Sequence, residues 1–307
     1  MLPWLIALIT VAVACVLYGI LIERRSYRLV RRGVPILPTG TEQALTVLHL
    51  SDLHLTRRSA KMRRFLATLP SPDLTVVTGD IVGEPEAVED AAAALRDVRG
   101  TAASLFVLGS NDYFAPRPRN YLGYFRKRQK PRWARRGRGA DLAAQLEADG
   151  WIHLRNRKVG LSLGGLDAEV MGLDDPHIGR QDLRVAPREH THRFGMAAVH
   201  SPDVMPELAA LGYDVMLFGH THGGQVRMPL VGALVTNSHL PRRLASGLVR
   251  IGTSYAHISN GLGTSKYAPF RFLCPPEATL LRLSPRSGPT PVPPSSRAEP
   301  ARRTPAP

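Results

Sequence analysis

YDVMLFGHTHGGQ, residues 213–225, is the stretch whose reading decides the fold. Tyr213 to Phe218 reads as a buried strand that stops where the histidines begin. His220 and His222 stand at i and i+2 among glycines, which leaves both imidazoles free to aim at one point beyond the strand end. Alone, such a pair is common in solvated loops. Repetition gives it weight. Asp52-Leu53-His54 follows LTVLHLS (45–51), Gly79-Asp80 follows LTVVT (74–78), and Asn111-Asp112 follows SLFVLGS (104–110). His200 closes a further apolar run, FGMAAVH (194–200). Each run places Asp, Asn or His just past a β-like segment.

Working outward, these runs alternate with helical patterns near 59–69, 85–98, 140–149 and 203–211. Short β runs are expected at 151–154, 159–164 and 168–173, and again at 249–259 and 278–283. Strand–helix alternation followed by a β-rich end predicts an α/β domain with more than one sheet, spanning 44–283.

The chain has 307 residues and an apolar fraction of 44%, enough for one large globular domain or two small ones with a substantial core. Its two cysteines, Cys15 and Cys274, give neither a disulfide framework nor a thiolate metal site. The net charge of +15 is local. Residues 117–139 carry +10, residues 23–32 carry +4 and the tail 284–307 carries +3, which leaves −2 for the rest. The body is neutral, so the charge does not mark the whole chain as a nucleic-acid binder.

Residues 3–22 contain no charge. Twenty helical residues span about 30 Å, the thickness of a bilayer core. A cleaved signal needs a basic start and a small-residue cleavage site, and a twin-arginine signal needs its arginines first; here Arg24 and Arg25 come after the run. Residues 1–23 are therefore expected to be a single transmembrane anchor in the cell membrane. The arginines that follow place the catalytic side in the cytoplasm. Residues 24–43, with Pro35 and Pro38, read as a basic juxtamembrane linker. Residues 284–307 are proline-rich with little to bury, and read as disordered.

The strand-end side chains are oxygen and nitrogen donors: Asp52, His54, Asp80, Asn111, His200, His220 and His222. They suffice for two divalent metal ions, with room left for water and substrate. Asp80, in a tight Gly-Asp turn, is the natural carboxylate bridge. Two cations about 3.5–4 Å apart lower the pKa of a shared water and clamp a phosphoryl oxygen, which is hydrolytic chemistry. Asp80, Asn111, Asp112 and His200 are the candidate catalytic residues. An oxygen and nitrogen ligand set suits Mn, Fe or Zn without choosing among them.

The ordered motifs SDLHL, GDIV, GSNDYF, VHSPDV and GHTHGGQV resemble those of the calcineurin-like metallophosphoesterases. The later SNGLGTSKYAPFRFLCPPEATLLRL is similar to the end of the bacterial membrane-associated branch of that family. The resemblance implies a double β-sheet sandwich flanked by helices, with a binuclear site at the strand ends. It implies that Asp52, His54, Asp80 and His222 hold one metal and that Asp80, Asn111, His200 and His220 hold the other. One motif departs: the family usually reads Gly-Asn-His-Asp where this chain reads Gly109-Ser110-Asn111-Asp112. In strict register Ser110 replaces the ligand; with a one-residue adjustment Asn111 remains one. Either way no histidine follows, so the leaving group takes its proton from water or another residue.

The insert 117–139 interleaves Tyr121, Tyr124, Phe125 and Trp133 with ten basic residues. Beside a membrane anchor it reads first as an anionic-lipid contact, with nucleic acid the weaker reading. His190 and His192 read as solvated loop residues and His49 as a packed one, while His239 and His257 could line the pocket. His177 has no assignment from sequence. The expected activity is hydrolysis of a phosphate ester or pyrophosphate, of a lipid or lipid-linked substrate. The rivals are a silenced phosphate- or lipid-binding protein and a nucleotide or nucleic-acid phosphodiesterase. No protein partner is predicted.

Overall fold

The computed structural model describes residues 2–116 and 135–286. Among these, fourteen strands form two six-stranded sheets and one small ribbon. The first sheet contains β1 (Arg28–Leu37), β2 (Leu45–Leu50), β3 (Leu74–Thr78), β4 (Ala103–Val107), β5 (Ile152–His153) and β14 (Glu277–Pro285), in the order β1-β14-β2-β3-β4-β5. The second contains β6 (Arg157–Leu163), β7 (Leu166–Gly172), β8 (Phe194–Val199), β9 (Val215–Phe218), β12 (Gly247–Ile251) and β13 (Ser254–Ile258), in the order β12-β13-β9-β8-β7-β6. β10 (Arg227–Met228) and β11 (Gly232–Ala233) make the ribbon. The central strands β2, β3 and β4 run parallel, as do β7, β8, β9 and β13. All of them therefore deliver their C-terminal ends to one edge of the sandwich, and that edge carries the expected site.

The layers follow from period-two burial. In β3, Leu74 and Val76 face the opposite sheet, while Val77 faces the helices. Val47, Leu105, Val170, Met196, Ala198 and Leu217 complete the dry interior between the sheets. Helices α2 (Ala60–Leu66), α3 (Val88–Arg96) and α5 (Gly139–Ala148) cover the outer face of the first sheet. Helix α6 (Met205–Ala210) covers the second. A short helix α4 (Ser110–Tyr113) follows β4 and carries the third motif. The double sandwich flanked by helices is the expected architecture.

The N-terminal run is helix α1 (Leu2–Leu17), and the helical stretch continues in tighter and wider turns to Arg25. None of the α1 residues is buried. This is one helix long and apolar enough to cross a membrane, and a signal sequence has the same features.

Two stretches differ from the sequence reading. Part of the expected linker is strand β1, which pairs in parallel with β14 some 250 residues away. Val34, Ile36 and Leu37 enter the interior while Arg31 and Arg32 stay exposed, and the register shifts after Pro35. An edge strand needs only one apolar face, and it tolerates proline beside a bulge. At the other end, β14 runs on to Pro285, and Arg286 bonds to Ile36 and Asp214, so the ordered chain passes the expected tail boundary. Residues 287–307 lie outside the described residues, as do 117–134 of the basic insert.

Candidate metal centre

Five of the seven expected ligands leave their strands through sharp turns. Asp52, His54, Asp80, His220 and His222 have φ of 49°, 43°, 50°, 69° and 50°, the left-handed region that costs a residue with a Cβ. Only nine non-glycine residues among those described adopt positive φ, so five of nine sit at this one place. Strained backbone persists where surrounding bonds over-determine it. Here the turns hold one another. The Asp52 N–H donates to Gly79 O, His54 N–H to Asp80 O, and Gly219 N–H to His200 O, all at 2.9–3.0 Å. Gly219 is required by close approach: a Cβ there would lie 1.8 Å from Ser51 Oγ and 2.5 Å from Asp52 Oδ2.

The donors converge. One ligand atom from each of Asp52, His54, Asp80 and His222 lies within 4.8 Å of the others. His54 Nε2 and His222 Nε2 are 3.1 Å apart, His222 Nε2 is 3.4 Å from Asp52 Oδ1, and His54 Nε2 is 3.7 Å from Asp80 Oδ2. On the other side of Asp80, His200 Nε2 lies 3.5 Å from its Oδ1, and His220 Nδ1 lies 3.3 Å from His200 Nε2. The Asn111 backbone N–H and side-chain amide both donate to the Asp80 carboxylate. The structure thus brings Asn111, not Ser110, to Asp80; Ser110 is buried in the first turn of α4.

The electrostatics describe a cation site. Burial pushes the His54 and His222 imidazoles down, and burial with His200 takes His220 to about 3, so each ring stays neutral with one nitrogen lone pair free to bind a cation. Burial raises the Asp52 carboxyl to about 6. Asp80 is also pushed up by burial, but His200, His54 and the Asn111 donors outweigh this and hold it low. At His200, burial lowers the pKa, yet Asp80, Asp175 and Asp52 together carry it to about 9. That is a buried anionic pocket calling for positive charge. His54 Nε2 and His222 Nε2 face each other at 3.1 Å, and in the tautomers that carry both protons on Nδ1 a divalent cation would satisfy the two lone pairs along with the carboxylates. The opposite ring atoms, Nδ1 of His54 and of His222, are buried and have no hydrogen-bond partner, so both rings present their polar contacts on the Nε2 side. The residues fit a metal.

Surrounding groups set the orientations. His200 Nδ1 bonds to Thr78 O at 2.7 Å, which turns Nε2 toward Asp80. His220 Nε2 bonds to Asn237 O at 3.1 Å, and the His220 N–H donates to the Asp52 carboxylate. Such outer contacts fix tautomer and aim.

A family model described as calcineurin-like phosphoesterase matches residues 45–224. The chain belongs to the calcineurin-like phosphoesterase family. It is a metal-dependent hydrolase of phosphoric esters, and its substrate contains phosphate. The chain is 27% identical over 257 residues to the uncharacterized metallophosphoesterase YkuE of Bacillus subtilis, covering 81% of this chain and 82% of that one. It is 30% identical over 142 residues to the phosphodiesterase YaeI of Escherichia coli, covering 46% of this chain and 51% of YaeI. Among solved structures, the phosphopantetheinyl hydrolase PptH of Mycobacterium tuberculosis aligns with a TM-score of 0.45 and 11% identity, covering 83% of this chain and 98% of that one.

Several residues take places other than those read from sequence. Asp112 is fully buried, and its two oxygens accept the N–H groups of Ile81, Val82 and Gly109. His257 does not line the pocket: it lies between the sheets with its Nδ1 2.7 Å from Nδ1 of His49, whose Nε2 reaches Thr78 Oγ1. His49 is packed, as expected. His239 is exposed and donates its N–H to Asp203. The sequence reading missed Asp175 and His177. Asp175 is buried and pushed up to about 7 by burial, and the His177 ring lies tilted by 43° against that of His220 with centroids 4.2 Å apart. The signal was present: Asp174-Asp175-Pro176-His177 follows the β run 168–173 just as the other motifs follow theirs.

Proposed function

We propose that this chain is a single-pass, membrane-anchored phosphoesterase that uses two divalent cations on an ester or pyrophosphate of a lipid or lipid-linked substrate. The observation that carries this reading is the convergence of Asp52, His54, Asp80 and His222 on one point at strained strand ends. In this reading those four residues hold one cation. Asp80, Asn111, His200 and His220 would hold the other, with Asp80 shared between the two sets. Mn, Fe and Zn all suit the set.

When bound, such a pair acidifies water and offsets charge on the phosphoryl oxygens. The reaction joins a water oxygen to phosphorus and breaks the bond from phosphorus to the leaving oxygen. One water proton ends on the leaving oxygen and the other stays with the new phosphate. The chain's own residues supply position. Thr78 O holds the His200 ring toward Asp80, and the three amides on Asp112 fix the turns that present Asp80 and Asn111. We assign Asp112 to that positioning. No imidazole follows Asn111, so the leaving group's proton comes from water or another residue.

The uncharged α1, none of whose residues is buried, supports the anchor, and the arginines after it support a cytoplasmic catalytic domain. The basic insert 117–139 supports contact with anionic lipid. Purified full-length chain in detergent should carry two metal ions and turn over an aryl phosphodiester until chelated. Phosphate binding without turnover would favour the silenced binding protein instead.

A further inference from the structure

A cleft of about 1070 Å³ opens beside the metal centre. His54 lines one part of it, and Arg24 and Arg25, the last residues of the N-terminal helical run, line another. Arg57, Arg58 and Lys61 come from the turn before α2 and its start, and Lys266 and Arg135 also face the cleft. Its lining has two acids, Glu84 and Glu86, and both are engaged: Glu84 pairs with Lys266 at 2.9 Å and Glu86 with Arg135 at 3.3 Å. Among the described residues no side-chain ion pair reaches Arg24, Arg25, Arg57, Arg58 or Lys61, although the Arg57 backbone N–H donates to Glu84 Oε1 at 3.0 Å and its Nε to the Glu86 carbonyl. Arg24, Arg25, Arg58 and Lys61, with Arg57 beside Glu84, make a focused positive field in one concavity, and their donors exceed what a single phosphate accepts.

The cleft's place relative to the apolar helix is fixed. Buried Gly19 packs so tightly on Phe270 and Arg271 that a Cβ there would lie 2.3 Å from the ring. Four residues on, the buried Glu23 carboxylate accepts two backbone N–H groups of the 273–274 turn. The helix therefore meets the domain at a set angle and depth. The arginines begin where its apolar residues stop, which is headgroup level if the helix spans a bilayer. One wall of the cleft is thus at the membrane surface while His54 belongs to the metal-ligand cluster.

We propose that this cleft binds the part of a lipid headgroup that is not cleaved, and that this part carries at least one further phosphate. The scissile phosphate then lies at Asp52, Asp80 and the histidines, the second lies among Arg57, Arg58 and Lys61, and the acyl chains stay in the bilayer beside the helix. This assignment rests on the phosphoesterase reading above. It adds a discrimination that the ligand cluster by itself cannot make, between headgroups with one phosphate and headgroups with two.

The test uses full-length chain loaded with Mn²⁺ in phosphatidylcholine vesicles. Four substrates separate the terms: an aryl phosphodiester, dioleoylphosphatidic acid, dioleoylglycerol pyrophosphate and inorganic pyrophosphate. The unmodified chain should prefer dioleoylglycerol pyrophosphate by kcat/KM, and its KM for that lipid should rise with salt. In the double variant Arg58→Ser, Lys61→Ser, the ratio of kcat/KM for the lipid pyrophosphate to that for the aryl ester should fall about 10–100-fold, the worth of two charge-assisted contacts. Binding to vesicles containing the lipid pyrophosphate should weaken in parallel. An unchanged ratio overturns the cleft as a phosphate site. Equal use of inorganic pyrophosphate and the lipid by the unmodified chain overturns the lipid assignment. Failure of the unmodified chain to hydrolyse any of the four sinks the phosphoesterase reading instead.

Discussion

The carboxylate of Glu23, at the end of the apolar helical stretch, accepts the backbone N–H of Cys274 in a loop 251 residues away. It also takes the N–H of Leu273 at 2.9 Å, and the Cys274 thiol donates to the carbonyl of the candidate ligand His222 at 3.3 Å. The helix end and the histidine motif are therefore one hydrogen-bonded assembly. Beside it, the buried Arg271 guanidinium ties Asn260, Gly261, Gly263 and Cys274 carbonyls together.

Removing the Glu23 carboxylate leaves two amides without their acceptor, one on buried Cys274 and one on exposed Leu273. Each orphaned group costs roughly 1–3 kcal/mol. Glu23→Ala should thus lower Tm by about 5–10 °C in detergent, and Glu23→Gln by less because one acceptor survives. Thermal unfolding of the two variants beside the parent checks this, and equal Tm for all three would show that the bonds are dispensable.

A truncation that starts at Glu23 keeps both this cap and strand β1. One that starts at Gly33 removes the β1 pairs Arg28↔Glu277 to Arg32↔Leu281 and uncovers part of β14. The first should stay monodisperse and folded, whereas the second should aggregate or melt earlier. Size-exclusion profiles and melting curves decide it. Identical behaviour would mean that this half of β1 contributes nothing.

Asp80 touches both halves of the ligand cluster. Asp80→Ala should therefore remove more metal and more activity than any other single ligand change, by at least about a hundredfold, the upper range seen even for outer-shell residues. Metal content and aryl-ester turnover are measured together. Retention of both metals at a normal rate would end the binuclear assignment.

At the third motif, Asn111 contacts Asp80 while Ser110 is packed into a helical turn. Asn111→Ala should weaken binding of one metal of the pair, and Ser110→Ala should be mild. Competitive metal titration of the two variants ranks them, and the reverse ranking would restore the strict register.

His49 and His257 give a stability signature away from the metals. Burial holds His49 well below its usual range and takes His257 to about 3, so both stay neutral when folded. Unfolded, each binds a proton near pH 6.5. Stability is therefore full above pH 6.5 and falls as pH drops toward the folded values, by about 1.4 kcal/mol per unit for each histidine. In His257→Leu the slope between pH 6 and 4 should fall by one histidine's share, about 1.4 kcal/mol per unit, read from urea midpoints at several pH values. An unaltered slope would place the titration elsewhere.

The double sandwich came from the family resemblance, while the residue pattern by itself determined an α/β domain with more than one sheet and the candidate ligands at its strand ends. The latter two rest on local periodicity, and on donors that recur just past each apolar run, as Asp52, Asp80, His200 and His220 do. Where only one neighbour strand decides the outcome, the sequence was silent. Arg28–Leu37 has the arginines and proline of a linker and becomes a strand because the β14 edge is there to pair with. The backbone strain at Asp52, His54, Asp80, His220 and His222 comes from turns that bond across motifs, so no local pattern announces it. His257 and His177 look alike in a list of histidines. The alternation of β13 sends one between the sheets, and the Asp175 turn sets the other on His220. The seat of the helix end on Cys274, and the cleft beside it, exist only once residues 250 apart in the chain have been brought into contact.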